Sequence, residues 1–170
     1  MPIGGPNRWN PYTKLLEAHM HEIEFLNKAL VKITNKLNSY SLNYVADVEI
    51  YPIDKGISGS TADVVKSVFN SAVLGGESES NTSELLEELI AGLSYAGDSG
   101  AHSNLKYVGS PEHKQDLENL KNKLKPVLAS NSSITSFWLK EGHPFYPVFW
   151  DFAFSVDGSN RFIVIGSSSD

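Results

Sequence analysis

His143 and Asp151 are the two side chains whose types and spacing come nearest to acid–base chemistry in this chain. His143 sits in Glu141-Gly-His-Pro-Phe-Tyr-Pro147, a loop stiffened by two prolines, and Asp151 follows among aromatics in a segment that reads as a strand. An imidazole titrates near neutral pH and a carboxylate can orient it, so the pair suits a hydrolase-like site if the fold brings them together. A carboxylate within a strand also needs a partner, because a desolvated charge is costly unless paired or hydrogen-bonded. Pairing with Arg161 across the following hairpin supplies one, and on cross-strand grounds this is the favoured role of Asp151.

Other motifs carry less. Gly97-Asp98-Ser99-Gly100 is similar to the tetrapeptide around the nucleophile of trypsin-like serine proteases. That family has a double β-barrel and a histidine well upstream in its own motif, whereas here helices flank the tetrapeptide, so a small-residue turn is the better reading. Gly56-Ile-Ser-Gly-Ser60-Thr61 stands between a strand and a helix N-terminus, where backbone N–H groups can cradle an anion. It lacks the lysine that a phosphate-binding loop places before Ser/Thr, and a turn with a helix cap accounts for it. His19 and His21 lie two apart on a helix, about 200° around its axis, and cannot share a metal. His19 falls in the apolar stripe and reads as a hydrogen-bonded core residue. With no cysteine, thiolate metal sites, disulfides and cysteine nucleophiles are excluded. No metal and no cofactor is expected.

Recognition is the alternative use of these residues. The net charge is −6 and the 14 basic residues are scattered, which speaks against nucleic acid and for a basic protein partner. Glu77, Glu79, Glu84 and Glu87 cluster in a polar loop and the helix start that follows, forming a negative patch where a helix N-terminus also favours acids. Eight of the 18 aromatics fall between Phe137 and Phe154, so this segment is either the centre of the fold or a docking surface. Trp150 beside Asp151 joins an aromatic anchor to a charge, the usual make-up of an interface hot spot. The expected partner-binding residues are therefore Glu77, Glu79, Glu84, Glu87, His143, Trp150 and Asp151, with none assigned to catalysis.

The elements that must position them follow from periodicity. Residues 1–10 read as an arm and 11–170 as a single α+β domain. Leu16, His19, Met20, Ile23, Leu26, Leu30, Ile33 and Leu37 make one stripe of a helix over 11–38. Further helices are expected at 61–74, 82–95 and 111–125, opened by Ser60, Asn81 and Ser110 as caps and stopped by Gly75-Gly76 or Pro126. Alternation predicts strands at 44–51, 134–139, 148–156 and 162–165, the last two joined as a hairpin through Asp157–Asn160. Both faces of 148–156 are apolar, which predicts a central strand covered on both sides, or one covered on one side and sticky on the other. The expected architecture is four helices packed on one face of a small, mainly antiparallel sheet that ends in a C-terminal β-hairpin. Leu16, Ile23, Leu30, Val48, Val68, Leu89, Leu120, Leu124, Phe152 and Ile163 should be buried.

No basic region followed by an apolar run opens the chain and no 18-residue apolar stretch occurs, so a cytoplasmic protein without membrane association is expected. Three functions fit: a non-enzymatic acidic module such as an inhibitor, immunity or antitoxin-like protein, a small-molecule binding domain with an aromatic pocket, and a hydrolase-like enzyme using His143 and Asp151. The first is favoured, because it accounts for the charge and the sparse catalytic motifs together.

Overall fold

Strand and helix periodicities in this chain resolve into one open sheet with helices on both of its faces. The computed structural model describes residues 11–57, 59–97 and 102–170. The 1–10 arm, the side chain of Leu16 and the centre of the Gly97–Gly100 motif lie outside these. In chain order the elements are α1 (Pro11–Asn38), β1 (Val45–Pro52), α2 (Thr61–Val68), β2 (Leu74–Ser80), α3 (Thr82–Leu93), α4 (Pro111–Ala129), β3 (Asn131–Leu139), β4 (Trp150–Gly158) and β5 (Phe162–Ser169). The sheet runs β1-β5-β4-β3-β2 and every neighbouring pair is antiparallel. Among the described residues no helix is long and apolar enough to cross a membrane.

Alternation along β4 and β5 assigns the faces. Phe152, Phe154, Val156, Phe162 and Val164 pack with Ile23, Leu30, Leu37, Leu89, Leu93, Leu120 and Leu124, so α1, α3 and α4 cover one face. Ala153, Ile163 and Ile165 point the other way and meet Val64 and Val65 of α2 together with Ile53 and Phe137. The C-terminal hairpin is thus central and covered on both sides, as its doubly apolar pattern requires. One helix lies opposite the other three, where a single covered face was expected. Val68 is only half-buried, because it sits at the rim of that smaller core.

Local chemistry starts the helices where expected. Ser60 accepts from the Asp63 amide at 3.1 Å, Asn81 from Glu84 at 3.0 Å and Ser110 from His113 at 3.1 Å. β3 starts earlier than expected, at Asn131, β4 is shifted to Trp150–Gly158 and β5 continues to Ser169. Two helix boundaries also differ. α4 runs past Pro126 to Ala129, because Val127 and Leu128 are both buried and their packing outweighs one lost backbone bond in a last turn. α2 stops at Val68, and the segment from Leu74 to Ser80 is an edge strand instead of a helix end and a loop. A strand paired on one side, with Glu77, Ser78 and Glu79 exposed, leaves no apolar alternation to read. Gly76 lies under the indole of Trp138 across the strand pair, where an added Cβ would come within 2.1 Å of the ring.

α1 closes the other edge of the sheet. Asn27 donates to Ile50 O and accepts from Ile50 N, both at 2.8 Å. Asn38 repeats this with Ala46, at 3.0 and 2.7 Å. These asparagines are three helical turns apart, about 16 Å, against about 13 Å for the four residues from Ala46 to Ile50, so a helix lying antiparallel along the strand serves both. α1 is in turn held to α4. Asp116, buried on α4, accepts from Lys32 and Lys36 at 2.9 Å each and from the Tyr107 hydroxyl at 2.8 Å. Lys36 also pairs with Glu112 and lies 5.2 Å over the Tyr107 ring.

Burial pushes the Asp116 carboxyl up, but the hydrogen bonds from Lys36, Lys32 and Tyr107 outweigh it and hold the pKa at about 2. A depressed pKa stabilises the fold at pH values above the carboxyl's unfolded value and ceases to do so as pH falls through 2. Asp116→Asn should destabilise the protein by about 2 kcal/mol at pH 7, since Lys36 and Tyr107 lose a charged acceptor. The gap between the two proteins should close as pH falls from 5 towards 2 in denaturant titrations. Asn38→Ala should cost about 2 kcal/mol through two lost hydrogen bonds and a bared sheet edge, measured the same way at pH 7.

Candidate functional site

The loop between β3 and β4 carries His143, and its backbone determines what the imidazole can do. The Phe145 amide donates to His143 Nδ1 at 3.1 Å, so the ring proton is on Nε2, which faces the Phe152 carbonyl at 3.3 Å. Phe145 stands edge-on to the ring at 5.5 Å, and Ser167 Oγ donates to the Phe145 carbonyl at 2.9 Å. Burial lowers the His143 pKa below its usual value, and the Phe152 carbonyl and Asp151 offset this only in part. At neutral pH His143 is an uncharged clamp that fastens the proline-rich loop to β4. Both of its nitrogens are spent on backbone groups.

Asp151 is exposed on the α2 side of β4 and stands opposite Ser167 in register. Arg161 is far along the hairpin and does not reach it. The register pairs Val156 with Phe162, which leaves Arg161 beside Asp157, and the two interact at 2.9 Å. Its other guanidinium nitrogens donate to the Ile57 and Gly59 carbonyls at 3.1 and 3.3 Å. The expected Asp151–Arg161 pair is therefore replaced by Asp157–Arg161. Asp151 and Arg161 lie at opposite ends of the hairpin, since the partner of Asp151 is Ser167, six residues along β5 from Arg161.

Asp47 of β1 is also opposite Ser167, from the other side, and Glu49 lies two residues on. Asp47, Glu49 and Asp151 therefore share one face across three strands, with Asp47 and Asp151 separated by about two strand spacings, near 10 Å. Glu49 accepts from the Tyr51 hydroxyl at 2.8 Å. Trp150 faces the opposite way from Asp151, as neighbours in a strand must. Its indole Nε1 donates to the Tyr44 hydroxyl at 2.9 Å, it stacks on Phe152 at 5.8 Å, and it lies flat on Gly92 of α3, where a Cβ would meet the ring at 2.9 Å. Trp150 is a packing anchor between sheet and α3, and the structure does not bring it to the surface that holds Asp151.

The four glutamates divide in two. Glu77 and Glu79 project from edge strand β2 on the α2 side, in register with Phe137 and Thr135. Glu84 and Glu87 lie with Glu88 on the outward side of α3, over the other face, along a shallow groove of about 380 Å³. Ser80 donates to Glu84 at 2.6 Å and Ser83 to Glu87 at 3.3 Å. The two pairs flank the β2 edge from opposite faces. Among the described residues none of Asp47, Glu49, Glu77, Glu79, Glu84, Glu87, Glu88 and Asp151 has an ion-pair partner.

Charge is sorted accordingly. α1 and α4 hold eight of the 14 basic residues against six of the 20 acids, which leaves 14 acids and six bases for the rest of the chain. Asp47 and Glu49 were legible as the polar half of an alternating strand, but their neighbourhood with Asp151 depends on β1 pairing with β5, a contact between segments distant in the chain. His113 is a second structural imidazole: its Nδ1 accepts from Gly109 at 3.0 Å and its Nε2 faces the Leu93 carbonyl at 2.9 Å. His19 is buried as expected, but without hydrogen bonds at either ring nitrogen, and burial lowers its pKa. It borders a groove of about 740 Å³ along α1, shared with Leu15, Phe25 and Lys55. Among the described residues no group of His, Asp or Glu is arranged to hold a metal ion. No protein-family model, curated protein or solved structure matches the chain.

A histidine kept neutral by the fold makes the unfolded chain the better proton acceptor, so stability is full above the ordinary value of 6.5 and is lost as pH falls below it. Melting temperatures between pH 8 and 5 should therefore fall through this range. His143→Gln, which cannot protonate, should flatten that fall while lowering the melting temperature at pH 8.

Proposed function

We propose that this protein is a non-enzymatic protein-interaction module, of the inhibitor, immunity or antitoxin type, that docks on a basic partner through the acidic side of its sheet. The observation that carries this reading is the sorting of charge. Carboxylates on α1 and α4 are largely matched by lysines, with Glu24–Lys28, Glu112–Lys36, Asp116–Lys32 and Glu118–Lys121 pairs, whereas among the described residues Asp47 and Glu49 of β1, Glu77 and Glu79 of β2, Asp151 of β4 and Glu84, Glu87 and Glu88 of α3 have no ion-pair partner. Unmatched surface carboxylates raise the attraction of a cationic protein at long range and speed its association. The engagement of both His143 nitrogens with backbone supports a role without turnover, because a general base needs a free nitrogen within reach of the proton it removes.

The test compares the wild type with a variant carrying Glu77→Lys, Glu79→Lys, Glu84→Lys and Glu87→Lys, and with Asp47→Lys/Asp151→Lys. Each serves as bait to identify a partner, whose association rate is then measured from 20 to 300 mM salt. Charge reversal should slow association about tenfold or more at low salt and flatten its salt dependence. Stability should stay within about 0.5 kcal/mol per surface site. Association unchanged in rate and salt response in both variants would remove the acidic surface from the argument.

A further inference from the structure

The two edges of this sheet are treated differently. The backbone of β1 is met by Asn27 and Asn38 of α1 at Ile50 and Ala46. β2 pairs with β3 alone, and among the described residues no backbone or side-chain group bonds to the main chain of its outer edge between Gly76 and Ser80. An open edge is a row of N–H and C=O groups ready to pair with an extended chain.

Side chains on either side of that edge specify what would pair with it. On the α2 side stand Glu77 and Glu79, exposed and without ion-pair partners. On the other side the strand offers only Gly76, Ser78 and Ser80, and over Gly76 lies the indole of Trp138, which is 56% exposed. Because neither Gly75 nor Gly76 has a side chain, the ring lies directly over this end of β2. A large exposed aromatic beside unsatisfied backbone and unpaired charge has the make-up of a binding hot spot.

We propose that β2 is a strand-addition site for an extended segment of a protein partner in which basic residues alternate with apolar ones. Resting on the docking function proposed above, this inference names the element that engages and the chemistry of what it engages. Basic side chains of the added strand fall beside Glu77 and Glu79, the apolar ones fall against Trp138, and the backbones exchange ladder hydrogen bonds. A second copy of this chain is the wrong occupant, since β2 on β2 sets glutamates against glutamates.

The test uses the full chain and synthetic peptides of sequence Ac-Lys-Val-Arg-Thr-Lys-Val-NH2. Two further versions are N-methylated at alternate residues, one in the odd register and one in the even. Affinity is read by calorimetry and location by amide hydrogen exchange over residues 76–80. The expected result is saturable binding that protects these amides. One methylated register should abolish binding while the other leaves it intact, and Trp138→Ala and Glu77→Lys/Glu79→Lys should each weaken it about tenfold. Hydrogen exchange of the free variants separates loss of binding from loss of fold. Binding that is indifferent to methylation overturns strand addition while leaving acidic docking in place. No binding of the unmodified peptide also overturns it, and the Glu84→Lys/Glu87→Lys and Asp47→Lys/Asp151→Lys pairs, measured with a captured partner, then decide the docking function separately.

Discussion

An open antiparallel sheet leaves two rows of backbone N–H and C=O groups without partners, and most of this structure is arranged around that constraint. Unpaired backbone groups favour either internal satisfaction or an added strand. At β1 the constraint is met from within. α1 runs antiparallel along the strand, and its asparagines at positions 27 and 38 each return a donor and an acceptor to one residue of the edge. The choice of asparagine is physical: a carboxamide carries both functions in one plane, whereas a carboxylate or an ammonium carries only one. The apolar stripe of α1 then falls on the sheet face, and its lysines fall where α4 can meet them.

That docking sets the charge pattern as well. Asp116 sits within reach of Lys32 and Lys36 because α1 is fixed in rotation by the two asparagines and in depth by Leu26, Leu30 and Ile33. A buried carboxylate is costly unless several donors surround it, and here two ammonium groups and the Tyr107 hydroxyl do so. The pairing of α1 with α4 therefore neutralises most of their own acids. The surplus of negative charge is left on the sheet side and on α3, where Asp47, Glu49, Glu77, Glu79, Asp151, Glu84, Glu87 and Glu88 have no ion-pair partner among the described residues. Segregated charge in this molecule is a consequence of which helices hold the paired lysines, and the docking function proposed for the acidic side builds on that.

Local signals in the sequence were enough for the elements whose burial is periodic. The stripe of α1 apart from Met20, which is exposed, the alternation of β1 and the doubly apolar β4 lie where their patterns put them, and Ser60, Asn81 and Ser110 cap helices because capping depends on three adjacent residues. What local reading missed depends on partners distant in the chain. β2 has no apolar face to announce it, since Trp138 of β3 supplies the packing that its glycines lack. Asp151 was expected beside Arg161, but the register of the hairpin sets it opposite Ser167 and leaves Arg161 to Asp157. Trp150 and Asp151 are neighbours in sequence and, being in a strand, face opposite layers. His143 carries the same lesson at finer scale: its type suggested acid–base chemistry, while its backbone contacts make it a loop clamp.

The acids beside the β2 edge bear on self-association and recognition at once. Two copies meeting edge to edge would place Glu77 and Glu79 against their own counterparts, and like charges directly opposite on a sheet cost roughly 0.2–1 kcal/mol per pair. A basic strand in the same position converts each of those terms to an attraction of similar size. The swing between the wrong and the right occupant is therefore about twice the individual term at every acidic position, with no change in the backbone hydrogen bonds. Backbone pairing alone cannot discriminate between sequences, because every non-proline residue offers the same donor and acceptor. Discrimination at an open edge must come from side chains on its two faces, and here one face supplies charge and the other supplies Trp138. An edge guarded in this way stays free of its own kind for the same reason that it accepts a cationic strand.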